Sequence, residues 1–334
     1  MKVQELRNLI NGADRELLEK AFAETYKQFT KSQKEEVDQI IRNVLEGRDE
    51  KTARKNETVD FKELETEIPQ FLSNAYAQNY FAPNRVIPKS QRPKWRFMVK
   101  KYIKELEKIP TEDENASQAA KLLTDLYRLL CEACNYYLFS TDDPFRSVGW
   151  EQPDLFQLVV KKNLGLGYSR ERIAALLLDA ASGGLSRQAL PIYQESVLIA
   201  EFKTSDVKYM AIEEAQKLIE ERKNKLNCLK KYDDQRYFLG ETINELCGVI
   251  LMIAVELAET ASGIEYYFQN CERRDKEITL YCALEIVDWI EDDALWIKVY
   301  EYGLSKKIQP RDCLTRKYER LTGHKMTGAA GKDE

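Results

Sequence analysis

Apolar residues along this chain recur at intervals of three and four far more consistently than at intervals of two, and that periodicity predicts helix almost throughout. Leu17, Leu18, Ala21, Phe22 and Tyr26 share one helical face behind Asp14, a residue suited to cap it. Ser32 and Glu35 form a capping-box pair ahead of Val37, Ile40, Ile41, Val44 and Leu45, and Gly47 supplies the stop. Further helices are expected near 59–80 with a break at Pro69, and near 93–109, 116–139, 154–164, 169–182, 186–201 and 205–230. Five more follow near 240–262, 264–273, 275–290, 292–306 and 311–321.

Chain punctuation agrees with the periodicity. No glycine falls between Arg48 and Val148, and no proline between Ile192 and Gln309. A sheet protein needs turn residues at short intervals, so these stretches favour long helices. The expected fold class is all-α: a multi-helix array or an irregular bundle of helical hairpins, with solenoid-like stacking toward the C-terminus as one form of it. The segment from Glu277 to Ile308 reads as two helices hinged near residues 291–293, with Leu280, Leu284, Val287 and Ile290 facing Leu295, Trp296, Val299 and Tyr300. Over about thirty residues it is similar in general character to tetratricopeptide-like solenoids, but it lacks their consensus positions. No fixed period runs along the chain, so no family membership follows.

Composition marks the joints. The stretch at 47–58 is charged and has no large apolar residue, and 110–117 is a polar connector. The expected organisation is a helical region over 1–110, a second, repeat-like helical region over 113–322, and a disordered tail over 323–334. The longest uncharged apolar run, Leu246 to Val255, falls well short of the ~20 residues a membrane span needs, so it predicts a central buried helix and no membrane partner. The beginning of the chain is too polar for a signal peptide. Seven scattered cysteines, an odd number, read as reduced residues of a cytoplasmic protein rather than a disulfide framework.

Charge changes this picture at one place. Of 51 Lys and Arg, eight lie between Glu67 and Glu105, where none of the 56 Asp and Glu occurs, in a chain of net charge −5. They are Arg85, Lys89, Arg92, Lys94, Arg96, Lys100, Lys101 and Lys104. Prolines 83, 88 and 93 stiffen the loop that carries the first three, and Pro93 suits the first turn of a helix. On that helix Trp95, Met98, Val99, Tyr102, Leu106 and Ile109 form an inward stripe, leaving Arg96, Lys100, Lys101 and Lys104 toward solvent. Such a surface would track a phosphate backbone. Alternatively, it is a solvated face that meets acidic neighbours such as Glu285, Asp288, Glu291, Asp292 and Asp293. Trp95 and Phe97 are candidates to stack on bases, although Trp95 belongs to the inward stripe.

Catalytic constellations are sparse. The one histidine, His324, lies in the tail, which leaves nucleophile arrangements without a base. Cys131 and Cys134 have CxxC spacing but share an apolar helical face, a buried pair rather than a metal or redox site. Glu221, Arg222 and Lys223 lie within a charged helix and read as a solvated face. Gly165 and Gly167 precede Ser169, Arg170 and Arg172; an anion at that helix start competes with an ordinary stop-and-cap reading. Asp288, Glu291 and Asp292 are close enough to share a proton or metal, or simply to cap and solubilise a hinge. Phe145 and Trp150, in an expected loop at 140–153, either tuck onto the core or anchor a partner. The resulting expectation is a non-enzymatic helical interaction or scaffold protein that binds a protein partner or itself. Binding of nucleic acid or another polyanion through the 85–104 surface is the alternative. Neither expectation involves a cofactor or metal.

Overall fold

The computed structural model describes residues 10–29 and 61–323, with residues 5, 6, 34, 37, 38, 41 and 42. Two compact units part at Val59 and Asp60. The candidate joint at 47–58, most of the capping-box helix after Ser32, and the tail from His324 onward lie outside the described residues. The connector at 110–117 lies within the second unit, folded into turns by Asp113 N donating to Pro110 O (3.2 Å) and Ala116 N to Asp113 O (3.0 Å). The units therefore part well before it.

The fold is all-α, 73% helix, with no strand among the described residues. In the first unit, α1 (Arg15–Lys27) starts where Asp14 Oδ1 accepts from Arg15 N at 2.7 Å. Its apolar stripe builds a helix but no core, since no residue of α1 is buried.

The second unit opens with α2 (Phe61–Tyr76), α3 (Trp95–Lys108), α4 (Ala116–Asn135), α5 (Pro144–Val148), α6 (Gln152–Leu164) and α7 (Arg170–Ser182). It continues through α8 (Pro191–Ala200), α9 (Ser205–Cys228), α10 (Gln235–Glu256), α11 (Thr260–Asn270), α12 (Lys276–Ile290), α13 (Asp293–Ser305) and α14 (Asp312–Thr322).

Three local departures from the sequence expectations have physical reasons. The expected break at Pro69 does not occur: α2 runs through it, because Leu64, Ile68, Phe71 and Ala75 all bury on one face and outweigh one lost backbone bond. The expected loop at 140–153 contains α5, capped by Asp143 accepting from Arg146 N at 3.1 Å and closed by Gly149 at φ 75°. This turn tucks Phe145 into the core beside Tyr127, with centroids 5.8 Å apart. The helix expected from 186 begins only at Pro191, since the preceding loop is held from α6 instead. Buried Gln152 donates to Gly184 O at 2.9 Å and accepts from Ser186 N at 2.7 Å. A Cβ on Gly184 would lie 2.1 Å from Cys131 O, so only glycine fits there.

The apolar run becomes the heart of the unit. Helix α10 packs against α7, α8, α9, α11 and α12, and buries every residue from Thr242 to Ala254 except Glu245. It is the one described helix long and apolar enough to cross a membrane, and 67% of its apolar stretch is buried inside the unit. Sequential helices pair closely from α9 onward. A Cβ on Gly263 would stand 2.6 Å from Ala254 Cβ, which shows how tightly α11 lies on α10. The predicted pair α12–α13 forms, with Leu280, Leu284, Val287, Leu295, Trp296, Val299 and Tyr300 all buried.

Candidate functional site

The basic loop owes its shape to amides as well as prolines. Asn79 Nδ2 donates to Asn74 Oδ1 at 2.9 Å, and Asn84 Nδ2 donates to Asn79 Oδ1 at 3.0 Å. Asn84 Oδ1 in turn accepts from Val86 N at 2.9 Å, an Asx turn. This ladder runs from the end of α2 into the loop, where Arg92 Nε donates to Ile87 O at 2.9 Å. Residues Arg92–Lys94 then make one 3-10 turn before α3, with Pro93 inside it. Under the loop, Trp95 is 4% exposed and stacks on Phe139 with centroids 3.9 Å apart, while Tyr80 and Phe71 complete the aromatic floor. Trp95 is thus core and holds the cleft from below.

Lys89, Arg92 and Arg96 line a cleft of about 320 Å³ together with Tyr80, Ala82, Pro93, Trp95, Ser140, Thr141 and Ser147. Three cations and four hydroxyl-bearing side chains, Tyr80 among them, line it, and no carboxylate does. Thr141 and Ser147 hydrogen bond to each other at 2.7 Å and also line a neighbouring cleft that holds Arg146 and Arg187. The carboxylates of that second cleft are already engaged: Asp143 caps α5, and Asp142 pairs with Arg187 at 3.4 Å.

The other basic residues divide by surroundings. Lys101 lies 3.9 Å from Glu67, an exposed pair of small energetic weight. Lys100 Nζ sits against Gly149, at the C-terminal end of α5 where the helix dipole favours a cation. Among the described residues, no ion pair engages Arg85, Lys89, Arg92, Lys94, Arg96, Lys100 or Lys104. The acidic residues expected as their neighbours have other work. Asp288 pairs with Lys317, Glu285 accepts from the Tyr281 hydroxyl, and Asp292 caps α13 by accepting from Leu295 N at 2.9 Å. Glu291 ends α12 in the left-handed region at φ 59°.

The glycine–serine start of α7 looks different. Ser169 Oγ accepts from Arg172 N at 3.3 Å, Arg172 donates to Gly167 O, and Arg170 lies 2.7 Å from both Glu213 and Glu214. The cleft beside it carries Lys121, Arg128 and Arg172 against Asp125, Glu171 and Asp179, a balanced set with no surplus positive charge. Cys131 and Cys134 are free thiols; burial raises both, Cys134 to about 12, so neither is a ready thiolate. His324 lies outside the described residues, among which no cluster of His, Cys, Asp or Glu is fit to hold a metal.

Periodicity gave no sign of a coupled carboxyl pair with one member buried. Glu195 on α8 is 2% exposed; burial, then the neighbouring Glu245 charge, pushes its carboxyl well above the usual range. Burial also raises Glu245 on α10, against the opposing pull of Arg273 at 3.9 Å. The two carboxyls are coupled, so the charge of one raises the proton affinity of the other. Neither residue lines any of the clefts described above, and Glu195 is buried while the Glu245 side chain remains 24% exposed. The available signal was Glu195 itself, within the apolar helix 191–200. No family model, curated protein or solved structure matches this chain, so its function has to be read from the chemistry of its own surfaces.

Proposed function

We propose that this chain is a non-enzymatic helical binding protein whose basic cleft seats a phosphate-bearing polyanion. One observation carries the reading: Lys89, Arg92 and Arg96 line a cleft with four hydroxyl-bearing side chains and no carboxylate, and among the described residues none of the three has an ion-pair partner. Cations without carboxylate partners keep their full attraction for phosphate, and hydroxyls at the same wall supply donors for its oxygens. Arg85, Lys100, Lys101 and Lys104 extend the positive surface along the loop and α3. Seven free cysteines fit a reducing compartment such as the cytoplasm.

The test is binding of inorganic polyphosphate and of an oligonucleotide to the full chain at two salt concentrations. Affinity should fall steeply with salt, and a Lys89→Glu, Arg96→Glu double variant should flatten the slope by about one to two units. Both side chains are exposed, so the melting temperature should stay nearly constant. Salt-independent binding, or an unchanged slope in the variant, would sink the proposal.

A protein-partner role has its own support. Tyr232, Tyr237 and Phe238 are 87%, 68% and 61% exposed around the α9–α10 turn. Aromatic side chains of this kind anchor protein interfaces. Sedimentation of a Tyr237→Ala, Phe238→Ala variant tests self-association: a concentration-dependent wild-type species that the variant loses supports that role.

A further inference from the structure

Two exposed aromatic rings, Tyr137 and Phe97, belong to the same segments as the cleft-lining residues. Tyr137 is 70% exposed, and its ring lies nearly parallel to that of Phe81, 5.6 Å between centroids and 23° between planes. Phe81 stands between Tyr80 and Ala82, both cleft-lining, and Tyr137 precedes cleft-lining Ser140 by three residues. The backbone beneath Tyr137 is pinned, its carbonyl accepting from Gln78 Nε2 at 3.0 Å. Next to cleft-lining Arg96, Phe97 is 61% exposed, with the Arg96 guanidinium 4.9 Å from its ring centroid. Unlike Trp95, whose stacking partner is the core, Tyr137 has one ring face supported by Phe81 and the rest open to solvent.

We propose that the cleft is a site for single-stranded nucleic acid, with phosphates on Lys89, Arg92 and Arg96 and an unpaired base stacked on Tyr137. This rests on the polyanion reading above and adds the ligand class. A cation cleft alone would accept any polyphosphate; a braced, exposed ring beside it gains only from a ligand that carries a planar face next to its phosphate. A duplex keeps its bases stacked internally and has none to offer, whereas a single strand presents one with every nucleotide. Because every base has such a face, the site should tolerate sequence, and its salt dependence should be the shallower one of a single strand.

The test compares three probes on the full chain by fluorescence anisotropy or competition: oligo-dT of about 16 nucleotides, a duplex of the same length, and inorganic polyphosphate. Oligo-dT should bind more tightly than the duplex. Tyr137→Ala should weaken oligo-dT roughly ten-fold and leave polyphosphate unchanged, and Tyr137→Phe, which keeps the ring, should restore oligo-dT binding. Circular dichroism should be identical for all three proteins, since Tyr137 is outside the core. Equal affinity for duplex and single strand, or oligo-dT binding indifferent to Tyr137→Ala, overturns this inference while polyphosphate binding keeps the polyanion reading standing. Failure of all three probes to bind wild type at low salt overturns both.

Discussion

Glu195 ties the stability of the fold to pH. Its raised carboxyl means that the folded chain binds a proton more tightly than the unfolded one, in which Glu titrates near about 4.3. From that value up to its folded pKa, the native state holds more protons, so stability falls as pH rises through the window. Glu195→Gln keeps the shape and removes the titration. We expect it to match wild type near pH 4 and to gain on the order of 1 kcal/mol or more by pH 8. Urea melts at the two pH values check this, and a variant that loses stability at pH 8 would show that the ionised carboxylate is needed. Gln152 works in the opposite sense. Gln152→Ala strands Gly184 O and the buried Ser186 N–H, so a loss of about 2–3 kcal/mol is expected in the same melts.

Among the helices, α10 is the element on which the rest depends. Ile250 is 2% exposed in its middle, and Ile250→Asp should cost several kcal/mol, roughly 3–5, because a carboxylate there meets neither water nor a cation. A soluble variant with an unchanged melting temperature would mean that this face is not core. The α10–α11 contact gives a finer probe. Alanine is ordinarily better than glycine in a helix by about 1 kcal/mol. At Gly263, however, the added methyl would stand 2.6 Å from Ala254 Cβ, so the overpacking cost of about 1–3 kcal/mol should prevail. Thermal denaturation of Gly263→Ala decides the sign. Pro69 shows the same hierarchy, since four buried residues on one face of α2 override a backbone bond that proline cannot make.

For the molecule as a whole, every residue assigned to the cleft and its flanking rings belongs to the unit that begins at Asp60. A chain starting at Asp60 is therefore expected to keep both its cooperative unfolding and the oligo-dT affinity of the full chain, measured side by side by calorimetry and anisotropy. A large drop in affinity with intact folding would place a contributor in residues 1–59. The short-range order of helices supports this independence: from α9 onward each helix pairs with its neighbour in sequence, so the unit closes on local contacts.

Helix and its approximate limits were legible in the chain because they depend on neighbours three and four residues away, and glycine and proline spacing excluded the alternatives over long stretches. The eight basic residues and the inward Trp95 stripe were equally visible, since both are properties of one helix and one loop. The cleft was not. Its second wall, Ser140, Thr141 and Ser147, lies some forty to fifty residues further along the chain, and only the packing of α5 and α4 on α3 carries it there. Whether acidic helices covered the basic face was undecidable from periodicity, because charge pairing depends on distance through space, and Asp288 and its neighbours proved to be engaged at α12–α14. The Asn74–Asn79–Asn84 ladder and the coupled Glu195–Glu245 pair were hidden for the same reason. Local patterns determine which elements form; the meeting of side chains from distant segments, which sets burial, proton affinity and surplus charge, belongs to the folded chain.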